Sequence, residues 1–150
     1  MRRLVAEVAI DDERALGSRW RSLADQLEVH APGEETVFYP ELLRDVDDSE
    51  DDTEHAVKDH NEIREATQAV DAHEVGSEPW WAAFRTAREA TVDHLAEEEN
   101  DILPPFQAQV SAEHRDELGL RWLQFLEEHE DAKGLSGATV DPEAYLDEHG

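Results

Sequence analysis

The 150-residue chain has no cysteine. That excludes disulfides, zinc–thiolate sites and iron–sulfur clusters, so any transition metal must be held by nitrogen and oxygen. Basic residues are scarce too: 13 Lys and Arg stand against 39 Asp and Glu, a formal charge of −26. Such a surface repels phosphate over most approaches, which argues against nucleic acid or an anionic membrane as partner and favours cations. No apolar run approaches the ~20 residues of a membrane span. The basic and then apolar start, MRRLVAEVAI, is interrupted by Glu7 and closed by Asp11, Asp12 and Glu13, unlike a secretory signal. A cytoplasmic protein is expected. Glycine is sparse and mostly late, and the period-two alternation of strands is missing.

What is present is helical periodicity. Leu16, Trp20, Leu23, Leu27, His30, Glu34 and Phe38 step by threes and fours, which keeps one face inward for about five turns. Pro32 and Gly33 weaken that helix and predict a kink there. A next helix is expected from Asp52 or Thr53, after an acidic loop over 45–52, with the seam Ala56, His60, Ile63, Thr67 and Val70. Gly76 and Ser77 close the following loop, and Pro79 opens a helix with the seam Trp80, Phe84, Ala87, Thr91, His94 and Glu98. An amphipathic helix over 112–133 turns Leu118, Trp122, Phe125 and Leu126 inward. Residues 1–9, with Leu4, Val5 and Val8 inward, read as the last turns of a truncated first helix. The expected architecture is all-α: an up-down four-helix bundle over residues 1–133, its first helix truncated and an additional helix at its C-terminal end. Residues 134–150 form an acidic tail, loose except for docking by Tyr145 or Leu146.

Two segments carry the chemistry. HAPGEETVFYP (30–40) and HLAEEENDILP (94–104) share a frame of histidine, three residues, two glutamates, two residues, two bulky apolar residues and proline. With 39 acids in 150 positions, eight histidines meet an acid four residues on about twice by chance, and three such pairs occur: His30–Glu34, His94–Glu98 and His55–Asp59. The common frame and the placement on apolar seams single out the first two. Buried imidazoles and carboxylates are costly alone, and a divalent cation satisfies both. His30, Glu34, His60, His94 and Glu98 are therefore the expected metal ligands, from three helices; the alternative is a polar core bonded to itself.

Other polar and aromatic residues read differently. His55 lies five residues before His60, about 140° round a helix, and belongs to the surface or behind the ligands. Glu35 and Glu97 are read as supporting or exposed acids. His73, His114, His129 and His149 are assigned to the surface, and Trp20, Trp80, Trp81 and Trp122 to packing.

The stretches VHAPGEETVFYPEL, EHAVKDHNEI and HLAEEENDILP resemble the hemerythrin-like HHE cation-binding domain, over roughly residues 1–130. The resemblance implies a four-helix bundle holding two non-haem irons. His30, His60 and His94 would be terminal ligands, and Glu34 and Glu98 bridging carboxylates. It implies O2 or NO as the ligand bound or sensed. Iron handling or iron-centre repair is one alternative, and a metal-free interaction bundle another. The family draws a further histidine from its first helix, and none precedes His30 here. The expectation is that Met1 is an internal start with this ligand upstream. Without it, partial or absent iron occupancy and a homodimer through the truncated first-helix face are the readings to weigh. Neither Glu-x-x-His, as in ferritin-like di-iron proteins, nor His-Glu-x-x-His occurs in the chain. No residue beyond the ligands stands out as a general acid or base, so no enzyme is inferred.

Overall fold

The computed structural model describes residues 13–150, so the reading of residues 1–9 lies outside the described residues. Among the described residues the chain is helical, with no strand, and no helix is long and apolar enough to cross a membrane. Helix α1 (Glu13–Gly33) passes through a π-helical turn, Glu34–Phe38, into α2 (Tyr39–Asp45). Helix α3 spans Glu50–Asp71. Helix α4 (Glu78–Glu97) passes through a second π turn, Glu98–Ile102, into α5 (Leu103–Gln109). Helices α6 (Ala112–Glu128) and α7 (Pro142–His149) follow.

Both π turns begin at the first glutamate of the repeated frame and end before its proline. Proline has no N–H to donate, and its ring crowds the carbonyl four residues back, that of Thr36 or Asn100. The wider turn accommodates it, with Tyr39 N–H donating to the Glu34 carbonyl and Leu103 N–H to that of Glu98, five residues back. The break therefore differs from the kink expected at Pro32–Gly33: α1 runs on through both, and the change of register starts at Glu34.

Long-range contacts set the directions. Trp20 Nε1 donates to Asp71, while Arg64 near the middle of α3 reaches Glu35, so α1 and α3 are antiparallel. His94 meets His60 and Glu97 meets His55, so α3 and α4 are antiparallel as well. Among the described residues, α1, α3 and α4 thus follow the up-down order expected from sequence. Leu16, Trp20, Leu23, Val70, Trp80 and Phe84 form one apolar cluster. Val37, Tyr39, Leu42, Val57, Ile102 and Phe106 belong to a second. Every fully buried large apolar side chain among them contributes about 1.5–3 kcal/mol relative to exposure. Between the two clusters along the rods lies a polar layer: Glu34, His60, His94 and Glu98, all buried.

Three boundaries differ from the sequence reading. Helix α3 starts at Glu50, because the Ser49 carbonyl accepts from Thr53 N–H and closes the first turn early. Helix α6 ends at Glu128 rather than 133, since Asp131 and Ala132 take left-handed backbone (φ 55° and 63°). Leu126, expected inward, is 37% exposed. The acidic tail contains α7, capped by Asp141 accepting from Ala144 N–H, and Tyr145 is buried with its hydroxyl donating to the Glu35 carbonyl.

Candidate metal centre

Four of the five expected ligands come together, with one donor atom each of Glu34, His60, His94 and Glu98 lying within 4.8 Å of the others. His60 Nε2 and His94 Nε2 are 3.0 Å apart. Glu34 Oε1 is 3.2 Å from His60 Nε2 and 3.6 Å from His94 Nε2, and Glu98 Oε1 is 3.1 Å from His94 Nε2. His30 stands at the edge of this group. Its Nε2 is 2.7 Å from Glu34 Oε1, but its side chain is 40% exposed, more open than its seam position suggested. That nitrogen is shielded from solvent and has no properly directed hydrogen bond. Glu34 thus lies between His30 and the His60–His94 pair.

The far side of each buried imidazole meets a carboxylate. His60 Nδ1 lies 2.8 Å from Glu35 Oε2, and His94 Nδ1 lies 3.3 Å from Asp59 Oδ2. Glu35 is itself held by Arg64, whose Nη2 and Nη1 donate to its two oxygens at 2.6 and 3.1 Å. Acceptors at both Nδ1 atoms favour the proton there in neutral rings, which would turn both Nε2 lone pairs toward the spot that Glu34 and Glu98 also face. Two neutral rings in that state would set lone pairs 3.0 Å apart against each other, a conflict that a proton on His94 relieves in the metal-free protein. A cation held by both Nε2 atoms would remove the same conflict in place of the proton.

The electrostatics tell the same story. Burial opposes a charge on Glu34, yet the imidazoles of His30, His60 and His94 beside it hold its carboxyl well below the ordinary range. Burial pushes Glu98 upward, and its proximity to Glu34 adds to the shift. Burial works against a charged His94, but its bonds to Glu34 and Glu98 carry its pKa up to about 10. The protein groups alone therefore hold protons where a metal would put positive charge. Imidazole and carboxylate donors suit a divalent transition-metal cation, and His30 Nε2 beside Glu34 is left without a directed partner.

Sequence reasoning missed Tyr39. It is fully buried, its hydroxyl donates to Glu98 Oε1 at 2.8 Å, and the same oxygen lies 3.1 Å from His60 Nε2. Burial and the surrounding glutamates raise its pKa well above the ordinary value. The available signal was the repeat itself, which has tyrosine at 39 where the second copy has Leu103. Glu35, left open between a supporting and an exposed acid, is buried behind His60. His55 is exposed on the outer face, and His73 is exposed. His114, assigned to the surface, is half-buried and bonds to the buried Glu41 at 3.0 Å. A mostly apolar hollow of about 280 Å³, lined by Phe38, Leu103, Phe106, Leu118 and Trp122 with Arg115 in its wall, reaches His30 and Glu34.

The model of the hemerythrin HHE cation binding domain matches residues 1–106, the span that contains both frames and His60. No curated protein and no solved structure matches the chain. Helices α6 and α7 lie beyond the matched span. The family match falls on the same residues whose imidazoles and carboxylates converge, and the chain belongs to the hemerythrin HHE cation binding domain family.

Proposed function

We propose that this protein binds non-haem iron through His30, Glu34, His60, His94 and Glu98, and that the loaded centre takes up or senses O2 or NO. The observation that carries the reading is the pair of imidazoles with carboxylates at both Nδ1 atoms and Nε2 atoms 3.0 Å apart. Iron held there would supply an open coordination position for a diatomic ligand. Glu35 and Asp59 orient the two rings and keep their Nδ1 protons in place, while Glu34, placed between His30 and the other two histidines, suits a bridging carboxylate. Tyr39 steadies Glu98 through its hydroxyl. The apolar hollow beside His30 and Glu34 suits a small uncharged molecule and discourages hydrated ions, which favours gas binding over metal delivery.

The test is anaerobic loading with Fe(II), followed by air. The proposal expects bound iron and a ligand-to-iron charge-transfer band that develops on exposure. His60→Ala and His94→Ala should each abolish iron uptake, whereas His73→Ala, at an exposed position, should retain it. Equal iron content in all three variants would overturn the ligand assignment.

A further inference from the structure

Asp59 points its two oxygens in opposite directions. Oδ2 lies 3.3 Å from His94 Nδ1 inside the bundle, while Oδ1 lies 3.6 Å from His55 Nε2 on the outside. The same His55 nitrogen is 3.0 Å from Glu97 Oε2. One donor atom from each of His55, Asp59 and Glu97 falls within 4.8 Å of the other two. The arrangement follows from helix geometry. His55 and Asp59 are one turn apart on α3, and Glu97 follows His94 by one turn on α4, so the antiparallel pairing that joins His60 to His94 also joins His55 to Glu97.

Beside the trio is a cavity of about 20 Å³, lined by His55, Glu97 and His94 together with Asp52, Ala56, Asp101 and Ile102. That is room for a single water or ion. Side-chain exposure falls from 59% at His55 and 40% at Glu97 to 14% at Asp59 and 2% at His94, a gradation from water to the inner cluster.

We propose that His55, Asp59 and Glu97 form a second, outer site for a divalent transition-metal cation, through which metal reaches the inner cluster. One nitrogen and two carboxylates suit such an ion, and Asp52 and Asp101 add negative charge without any Lys or Arg in the cavity lining. A second histidine–acid trio, Glu41, Asp45 and His114, serves as the contrast. There Arg44 and Arg121 already neutralise the carboxylates, and a cation would be repelled. The mostly apolar hollow beside His30, with Arg115 in its wall, is a poor path for a hydrated cation. Only the destination of the metal rests on the inner-site reading; binding at the trio stands independently of it.

The experiment uses the full chain, with Mn2+ followed by electron paramagnetic resonance and Fe(II) followed by stopped flow. In His60→Ala one weak Mn2+ site should remain, and adding His55→Ala or Glu97→Gln should remove it. In the otherwise unaltered chain, His55→Ala should slow anaerobic iron loading about tenfold, in line with loss of an outer ligand. Mn2+ binding that is identical with and without His55, or loading at the unaltered rate, would overturn the proposal. If His55-dependent Mn2+ binding persists while no iron uptake depends on His60, the outer site stands and the inner reading falls.

Discussion

Residues 30–40 and 94–104 carry one frame and one π turn, yet their second glutamates meet opposite surroundings. Glu35 is buried, gripped by Arg64 and set against His60, whereas Glu99 is exposed. The residue before the first glutamate differs as well. At Gly33 an added Cβ would stand 2.7 Å from the Trp122 ring, so any larger residue forces that ring of α6 to shift, while Glu97 in the same position faces His55. Even the histidines part: His94 is 2% exposed and His30 40%. A repeated motif thus specifies donors and local backbone alike in both copies, and the neighbours decide which donors become ligands, which become supports and which stay in water.

The largest expected difference is at the second glutamate. Glu35→Ala leaves the buried Arg64 without its partner and should cost about 3–5 kcal/mol, while Glu99→Ala should change stability by less than about 0.5 kcal/mol. Urea unfolding of the two variants checks this; similar losses would mean that the frames are equivalent after all. Next comes Gly33→Ala, which forces the Trp122 ring to move and should cost about 1–3 kcal/mol by overpacking. Thermal melting with tryptophan fluorescence reads both the loss and the displaced ring, and an unperturbed melt would show that α6 yields freely.

The smallest effect is a pH dependence just beyond the shared proline, where the first copy has Glu41 and the second Pro105. Burial opposes a charge on Glu41, but bonds from His114, Arg44 and Arg121 hold its pKa down to about 2, against an ordinary 4.5. Asp45 and Glu117 are the other acids facing His114. Since the folded value is depressed, this stabilisation is full above pH 4.5 and is lost as pH falls toward 2. His114 is shifted the other way, raised mainly by its bond to Glu41, so its share is present below 6.5 and fades as pH climbs through the raised value. The stability gap between the parent chain and Glu41→Gln should therefore be widest between pH 4.5 and 6.5, narrow above that as the His114 share fades while Arg44 and Arg121 still hold Glu41, and close as pH falls toward 2. A gap that stays constant down to pH 3 would show that Glu41 holds α6 by packing alone.

Much of the bundle was legible from residue order. The seam residues Leu16, Trp20, Ile63, Val70, Trp80 and Phe84 are all buried as their spacing requires, and Ser77 caps α4 by accepting from Trp80 N–H. The α6 terminus was not legible, because a left-handed Asp131 and Ala132 are no more marked in the sequence than residues that continue a helix. Helix α7 was hidden for a related reason: its order comes from Tyr145 reaching the Glu35 carbonyl, 110 residues away in sequence. Tyr39 reads as one more apolar residue before a proline until its hydroxyl is seen against Glu98.

By itself the sequence determined the donor chemistry, nitrogen and oxygen with no sulfur, and the helical period that puts histidine and glutamate on the same faces as leucine and tryptophan. Those are local properties, set by side-chain type and by 3.6 residues per turn. Which donors meet was decided only when α3 packed antiparallel against both α1 and α4. That packing pairs His60 with His94, Arg64 with Glu35 and His55 with Glu97, and it depends on burying apolar surface shared between helices far apart in the chain, which no local pattern encodes.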